Sequence, residues 1–317
     1  MKIGFIGLGN VGGKLAGNLL RNGFDLTVRD LNEQTLRPFI EKGAKFGESP
    51  KKMVESSDLV ITCLPSPSVS AAVMEDQDGI LAGMSAGKIW AEMSTTDEAE
   101  VIRLGEKVKN LEGEPLDCPV SGGCHRAATG NISILAGGER STFEKMLPVL
   151  KVLGRRILHT GKLGSASVLK VLTNYLATAN LVSLCEALTT AKKGGMDLNT
   201  TYEAIRISSG NSFVHETESQ VILNGSRDIN FTMDLVIKDV SLFQAIAERE
   251  GVPLEISPLL IDIFKDGEKR YGSREWSPNI VRRLEESCET DVLASGFPNE
   301  IVDDEPEQSG EEVLVRR

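Results

Sequence analysis

Residues 2–13 read KIGFIGLGNVGG, and this short stretch says most about how the first half of the chain folds. Its first residues are mostly apolar and predict a strand, and a helical pattern begins directly after the glycines. Three glycines have the spacing G-x-G-x-x-G, which permits a tight turn, close approach of a phosphate, and close packing of the helix on the strand. The predicted dinucleotide-binding turn comprises Gly7, Gly9, Asn10, Val11 and Gly12.

An acidic residue supports the interpretation as a dinucleotide site, since a glycine-rich turn alone also occurs without a ligand. The second predicted strand is followed by Asp30, about twenty residues after the turn, where a carboxylate binds the ribose hydroxyls. The same carboxylate repels a 2′-phosphate, and Leu31 supplies no cation to bind one. Strand alternation directs Arg29 to the opposite face. The sequence therefore predicts NAD in preference to NADP.

Length, charge and cysteine usage restrict the class of protein. The 317 residues are enough for about two domains. A net charge of −11 without a basic cluster argues against a nucleic-acid partner. The five cysteines are scattered, odd in number and lack C-x-x-C spacing, which is typical of reduced thiols in the cytosol. The three histidines have no metal-ligand spacing, so no metal site is predicted.

The apolar segment 164–191 is long enough to cross a bilayer. However, Lys170, Glu186 and two asparagines interrupt it, and no second span accompanies it. The N-terminus also lacks the pattern of a signal peptide. We therefore expect a helix buried in protein, no membrane partner and a cytoplasmic location.

The order of predicted elements indicates an α/β fold, a Rossmann-type doubly wound parallel sheet followed by an all-α domain. Helical patterns at 12–22 and 33–42 alternate with β-rich runs, whereas helical periodicity dominates from residue 165 onward. The acidic C-terminus has few apolar residues and predicts a mobile tail. The predicted strands are 2–6, 25–29, 59–63, 89–92 and 132–136. The predicted domains are 1–162, dinucleotide binding; 163–290, helical, for substrate and dimerisation; and 291–317, the tail.

Four motifs follow one another along nearly the whole chain except the tail. They are GFIGLGNVGGKLAGNL at 4–19, DCPVSGG at 117–123, GKLG at 161–164 with Lys170 and Asn174 after it, and FTMDL at 231–235 with Lys238 and Asp239 after it. In this order they resemble the β-hydroxyacid dehydrogenases, the family of 3-hydroxyisobutyrate dehydrogenase and tartronate semialdehyde reductase.

The resemblance implies a role for each motif. Lys170 would be the catalytic acid and base, with Asn174 beside it on the same helix. Ser121, Gly122 and Gly123 would hold the carboxylate of a small substrate. The reaction would transfer a hydride between NAD and the alcohol carbon of a 3-hydroxy acid, or reduce the matching semialdehyde. The cofactor side of the site would include Leu64, Pro65, Ser94, Thr95 and Lys238. A homodimer or homotetramer is also implied.

Elementary chemistry agrees with these roles, but the same residues also have simpler structural explanations. Lys170 and Asn174 are four residues apart and share a helix face. An ammonium group in apolar surroundings favours its neutral form, which can take the proton of an alcohol. Alternatively, Lys170 reaches water from the helix edge, Asn174 is an interior amide, and Ser-Gly-Gly is only a turn. Lys238 and Asp239 can equally be a solvated pair of little energetic value.

The residues after the Ser-Gly-Gly turn vary within the family and are candidates for substrate specificity. Here they are Cys124, His125 and Arg126. Arginine is well shaped to bind a second planar anion, so we expect Arg126 to contact a polar or anionic group at the far end of the substrate. The alternative is that Arg126 faces solvent or pairs with a neighbouring acid.

Three other functions share features with this sequence. An imine reductase has a related architecture but a residue other than lysine at position 170. A 6-phosphogluconate dehydrogenase resembles this chain in its lysine helix, yet it usually has histidine where Thr173 stands, and a phosphate-binding cation cluster is not evident. A non-catalytic binding module of the same fold would not need Ser121, Lys170 and Asn174 together.

Overall fold

The structure is a computed structural model that describes residues 1–315. The chain forms two compact units, one of Met1–Lys170 with the segment that begins at Asp303, and one of Val171–Val302. The boundary therefore lies inside a helix, at Lys170 rather than near residue 162 as predicted. The described strands are β1 (Lys2–Ile6), β2 (Asp25–Arg29), β3 (Lys45–Phe46), β4 (Leu59–Thr62), β5 (Ile89–Glu92), β6 (Glu114–Asp117), β7 (Val120–Ser121), β8 (Ser133–Gly138), β9 (Arg156–Gly161) and β10 (Glu311–Glu312).

The helices of the described residues fall in two groups. In the first unit they are α1 (Gly12–Arg21), α2 (Glu33–Glu41), α3 (Pro50–Ser56), α4 (Pro67–Glu75), α5 (Ile80–Gly83), α6 (Glu98–Asn110), α7 (Gly123–Thr129) and α8 (Arg140–Leu153). The long helix α9 (Ser165–Lys193) begins in the first unit and ends in the second. The second unit also contains α10 (Leu198–Arg206), α11 (Phe213–Asn224), α12 (Met233–Arg249), α13 (Ile256–Tyr271), a 3₁₀ helix (Ser277–Val281) and α14 (Arg282–Cys288).

The strands form one sheet in the order β10-β9-β8-β6-β5-β4-β1-β2-β3, with β7 paired to β8. Neighbours are parallel except where β8 meets β6 and β7. The strand order runs outward from β1 in both directions, and in such sheets ligands bind outside the carboxyl ends of the strands at this reversal. The predicted doubly wound parallel sheet is confirmed.

The sheet is buried on both faces, because side chains alternate along each strand. Phe5 and Ile61 belong to the apolar cluster that includes residues of α1 and α8. Ile6 and Val60, their neighbours in sequence, belong to the opposite cluster around Trp90 and the helices α3, α4 and α6. Full burial of side chains of this size contributes about 1.5–3 kcal/mol each. The central strands are therefore held firmly, and the loops at their carboxyl ends are built on a rigid support.

Several strands were predicted correctly, and others were missed. The predicted strands 2–6, 25–29 and 89–92 coincide with β1, β2 and β5, while 59–63 and 132–136 differ slightly in their ends. Of those that were missed, β3, β7 and β10 have only two residues each, and β6 contains Pro115, which lacks a backbone N–H.

The second unit is helical, as predicted, and packs around its own apolar cluster. Phe264 of α13, Val240 of α12 and Leu188 of α9 are buried in that cluster. Two of its helices begin at side chains that cap exposed backbone N–H groups: Asp197 accepts from Thr200 at the start of α10, and Ser212 accepts from His215 at the start of α11. Among the described residues, α9 alone is long and apolar enough to span a membrane, a property that core helices of soluble proteins share.

The C-terminal segment is not the mobile tail that its composition predicts. Residues 291–302 belong to the second unit, where Val292 is fully buried and the Ala294 N–H donates to the carbonyl of Leu223 at 2.9 Å. From Asp303 the chain lies on the first unit, and β10 pairs in parallel with β9 at the edge of the sheet. The composition was misleading because the acidic side chains are paired with cations, such as Glu312 with Arg140.

Candidate active site

The glycine turn between β1 and α1 has the geometry that a dinucleotide requires. Gly7 has φ +96°, and a Cβ there would collide with the carbonyl of Cys63 at the end of β4. A Cβ on Gly12 would collide with the carbonyl of Gly7, so only glycine permits the close approach of helix and strand. At Gly9 nothing lies within 4 Å of the Cβ position. The first and third glycines are therefore required by packing, whereas the second leaves the main chain open to a ligand.

The structure places Asp30 directly beside this turn. Its Oδ2 accepts from the backbone N–H of Leu8 at 2.6 Å, and its Oδ1 accepts from that of Asn32 at 2.8 Å. A carboxylate oxygen has a second lone pair, so both oxygens can also accept from ribose hydroxyls. Leu31 is almost fully exposed, and Arg29 donates to the carbonyls of Gly47 and Glu48.

A buried carboxylate that the sequence analysis missed holds Ser94, the residue that joins the two predicted cofactor loops after β4 and β5. Glu92 is 1% exposed, and its Oε1 accepts from both the backbone N–H and the hydroxyl of Ser94. The Ser94 Oγ in turn accepts from the backbone N–H of Leu64 at 2.7 Å. Burial raises the pKa of Glu92 above its ordinary value, partly offset by the hydrogen bonds from Ser94. Leu64 and Ser94 are thus fixed to each other, with Pro65 and Thr95 next to them in the chain.

The predicted substrate turn is a sharp reversal between β7 and α7. Ser121 ends β7, and both Gly122 (φ +128°) and Gly123 (φ +85°) have backbone angles that favour glycine. Successive residues with unusual angles of this kind can direct main-chain N–H groups to one anion. The Arg126 side chain packs over the turn, with its Cδ 3.4 Å from the Cβ position of Gly122.

Arg126 also has a protein partner, as the alternative interpretation anticipated. Its Nη2 lies 2.9 Å from Oε1 of Glu305, in the C-terminal segment. Burial and the charge of Arg126 lower the pKa of the neighbouring His125. The anion expected near Arg126 is therefore supplied in this structure by the protein itself.

The helix that carries Lys170 is anchored by a buried carboxylate, which the sequence analysis left without a role. Asp117 ends β6 and is fully buried. Its Oδ2 accepts from the backbone N–H of Ser167 at 2.7 Å, and its Oδ1 accepts from the Ser167 hydroxyl at 2.9 Å. These bonds satisfy polar groups in the first turn of α9, where an anion is also favoured by the helix dipole. Lys170 follows Ser167 by about one helical turn and is 7% exposed.

Burial raises the pKa of Asp117 to about 7, against an ordinary value of 3.8, and the nearby charge of Glu92 adds to the shift. The hydrogen bonds from Ser167 act in the opposite direction because they stabilise the charged form. Asp117 therefore titrates near neutrality in the folded protein.

In the second unit, a buried carboxylate organises two predicted site residues. Asp239 of α12 is 1% exposed. Its Oδ2 accepts from Nδ2 of Asn174 at 2.5 Å, and its Oδ1 lies 2.7 Å from Nζ of Lys238. Stacking of the Tyr175 and Phe243 rings, with centroids 4.2 Å apart, holds the same two helices together. The interpretation of Lys238 and Asp239 as a solvated pair is therefore wrong for Asp239.

The predicted site residues are divided between the two units. The glycine turn, Asp30, the two cofactor loops, the substrate turn and Lys170 belong to the first unit, and Asn174 and Lys238 to the second. Within residues 1–315, no group of three or more His, Cys, Asp or Glu side chains is arranged to hold a metal ion.

Comparison with known proteins gives matches along the chain. Residues 2–161 match the model of the NAD binding domain of 6-phosphogluconate dehydrogenase, and residues 164–284 match that of the NAD-binding region of NADP-dependent 3-hydroxyisobutyrate dehydrogenase. The 2-(hydroxymethyl)glutarate dehydrogenase of Eubacterium barkeri is 33% identical over 297 residues, which cover 93% of this chain and 98% of the relative. The NAD-dependent L-serine dehydrogenase of Pseudomonas aeruginosa is 30% identical over 291 residues, which cover 89% and 97%.

A solved structure shows the same fold. The 3-hydroxyisobutyrate dehydrogenase from Salmonella typhimurium superposes with a TM-score of 0.82 at 24% identity, covering 89% of this chain and 99% of that one. The doubly wound sheet, the dinucleotide turn and the helical second unit define a nicotinamide-dinucleotide-dependent oxidoreductase. The chain belongs to the β-hydroxyacid dehydrogenase family. The resemblance inferred from the four motifs is confirmed.

Proposed function

We propose that this protein is an NAD-preferring dehydrogenase that oxidises the hydroxyl group of a small 3-hydroxy acid, or reduces the matching semialdehyde, with Lys170 as general base and acid. The observation that carries the proposal is the buried Lys170, held on a helix whose first turn is anchored to Asp117. The relatives named for 2-(hydroxymethyl)glutarate and for L-serine support the substrate class, since both compounds are 3-hydroxy acids.

The residues of the first unit suit a nicotinamide dinucleotide. The open main chain at Gly9 can receive the pyrophosphate, and Asp30 can bind the adenosine ribose. The bound cofactor would supply the hydride acceptor, which no side chain of the protein can replace. The direct hydrogen bond from Leu64 to Ser94, with Ser94 itself held by Glu92, would fix the two loops that contact the cofactor.

In this proposal, Lys170 is the group that accepts and returns the proton of the reaction. The neutral amine of the buried Lys170 would accept the hydroxyl proton as the alcohol is oxidised, and would return it when the carbonyl is reduced. The Ser121-Gly122-Gly123 turn would hold the substrate carboxylate and thereby fix the alcohol carbon. Asp239 accepts from the Asn174 amide and thereby fixes the orientation of that side chain.

The preference for NAD can be tested by changing the ribose site. Asp30→Ser with Leu31→Arg removes the charge that repels a 2′-phosphate and supplies a cation for it. We expect the NAD/NADP ratio of kcat/KM to fall by about tenfold or more, since about 1.4 kcal/mol corresponds to a factor of ten.

Asp25→Ser is the matched control, because Asp25 lies at the opposite end of the same strand and pairs with Lys45. It should leave the ratio unchanged. A double variant with the wild-type ratio would mean that Asp30 does not contact the ribose.

We also propose that the protein works in the cytosol as a homodimer or homotetramer. All five cysteines are free thiols, which suits a reducing compartment. In the second unit Leu176, Leu259 and Ile256 are more than half exposed, and apolar residues of this size favour burial against a second copy. Sedimentation equilibrium on the purified protein tests the assembly, and a monomer at micromolar concentration would contradict it.

The experiment that tests the function is a turnover screen with NAD and with NADP. The panel holds L-serine, 3-hydroxyisobutyrate and 2-(hydroxymethyl)glutarate, together with 6-phosphogluconate and, in the reductive direction, cyclic imines. Turnover of a 3-hydroxy acid that is lost in Lys170→Ala is the expected result. A preference for 6-phosphogluconate or for imines would favour those alternatives, and a folded, cofactor-binding protein without any turnover would favour a binding module.

A further inference from the structure

The chain from 303 to 312, named here the strap, runs along the first unit beside the substrate turn. It lies beyond both spans that match family models, 2–161 and 164–284. Its last two residues form β10 on the edge of the sheet, and the Glu311 N–H donates to the carbonyl of Arg155 at 3.0 Å. The strap is thus fixed at one end by a strand pair.

The other end of the strap is fixed at the end of α7. Oδ2 of Asp303 accepts from the hydroxyl of Thr129 and from Nδ2 of Asn131, the latter at 2.7 Å. The Asn131 amide also donates to the main-chain carbonyl of Glu305 at 3.0 Å. Because its backbone is held on both sides, the Glu305 side chain has a defined position, and its carboxylate meets Arg126 at 2.9 Å.

Arg126 connects this contact with the substrate turn. Its stem packs over Gly122, which belongs to the turn proposed to hold the substrate carboxylate, while its guanidinium pairs with Glu305. A second carboxylate on a substrate, directed toward the same guanidinium, would have to share the cation and lie near the charge of Glu305. Like charges at a shared site repel each other.

We propose that Glu305 is a specificity-determining residue: an internal carboxylate that occupies Arg126 and so disfavours 3-hydroxy acids whose far end bears a second carboxylate. This inference rests on the proposed function. The wild-type enzyme therefore favours a substrate with an uncharged far end, and removing the charge of Glu305 should improve the use of a substrate with a second carboxylate there.

The expected effect is modest, because the pair is partly exposed, with 30% of the Arg126 side chain and 52% of the Glu305 side chain accessible. Releasing such a pair changes the ratio of kcat/KM for a diacid to that for a monoacid by up to about fivefold. The change appears in the ratio and not in the turnover of the monoacid.

The test compares 2-(hydroxymethyl)glutarate with 3-hydroxyisobutyrate, using the full-length protein with saturating NAD. Glu305→Gln should raise the diacid-to-monoacid ratio of kcat/KM about fivefold. Glu307→Gln is the matched control, because Glu307 is on the same strap but pairs with Arg21. It should leave the ratio unchanged. The double variant Glu305→Gln, Arg126→Ala should lose the gain.

Equal ratios in Glu305→Gln and Glu307→Gln would overturn the inference, as would a gain that persists without Arg126. Failure of the proposed function is distinguishable, since it appears as absence of wild-type turnover with both acids. In that event calorimetry measures the affinities of the NAD-loaded protein for the same two acids. The ratio of these affinities then replaces the ratio of kcat/KM, with the same expected and contradicting outcomes.

Discussion

Replacing Lys170 by alanine is expected to lower kcat by about 10²- to 10⁴-fold while the affinity for NAD stays the same. Positioned acid–base catalysis usually contributes this much. A water molecule in place of the lost side chain would not be fixed to α9 by a covalent bond, as the amine is. The glycine turn lies between β1 and α1 and Asp30 follows β2, whereas Lys170 is on α9, so we expect cofactor binding to be kept. Steady-state kinetics and fluorescence titration with NADH measure the two quantities.

Lys192→Ala is the control for this experiment. Lys192 is on the same helix, in its last turn, and pairs with Asp291 at 3.1 Å. Its loss should leave kcat within about twofold of wild type, since a partly exposed pair contributes about 0–1 kcal/mol. If Lys170→Ala turned over as fast as Lys192→Ala, proton transfer would have to be assigned to another group.

The second large effect is expected at Asp117, which acts as a positioning residue through α9. Asp117→Ala leaves the Ser167 N–H and hydroxyl without their acceptor, and a buried donor left unsatisfied costs about 1–3 kcal/mol. We expect kcat to fall by about 10- to 100-fold as the helix that bears Lys170 loses its anchor, with little change in KM for NAD.

A purely structural role for Asp117 would give a different pattern. It would lower the unfolding temperature while the remaining folded enzyme kept the wild-type kcat. Asp117→Asn should recover part of the activity, because an amide oxygen can still accept from Ser167. Wild-type kcat in a folded Asp117→Ala protein would mean that Asp117 does not position Lys170.

The pKa of Asp117 also predicts how stability depends on pH. The folded protein holds this proton up to about pH 7, whereas in the unfolded chain the carboxyl has its ordinary value of 3.8. Between these values the folded state binds more protons, so the contribution of Asp117 to the free energy of unfolding is fully present below about pH 4. It is lost as the pH rises through about 7. Urea unfolding across this range should show that wild type loses stability relative to Asp117→Asn as the pH rises from about 4 to about 7, and a difference that does not change with pH would contradict the shift.

Local patterns predicted much of this protein. The glycine turn was recognised because its G-x-G-x-x-G spacing, directly after a strand and before a helix, is a local pattern, and β1 and β2 were found from short apolar runs. The placement of Asp30 next to the turn followed from the parallel order of these two strands.

The residues that were missed depend on contacts between distant parts of the chain. Asp117 meets Ser167 across 50 positions, Asp239 meets Asn174 across 65, and Glu305 meets Arg126 across 179. Nothing in the neighbouring sequence marks these carboxylates as buried or paired. The prediction of a mobile acidic C-terminus was wrong for the same reason, since its composition does not show which arginines form ion pairs with its glutamates.

The most direct test of the central claim is the initial rate of NADH formation with a 3-hydroxy acid, measured in parallel on wild type and Lys170→Ala at equal concentrations of folded protein. We expect clear turnover by wild type of at least one of L-serine, 3-hydroxyisobutyrate and 2-(hydroxymethyl)glutarate, and a rate at least about a hundredfold lower in the variant. Equal rates in the two proteins, or turnover of none of the three acids by a wild-type protein that binds NAD, would contradict it.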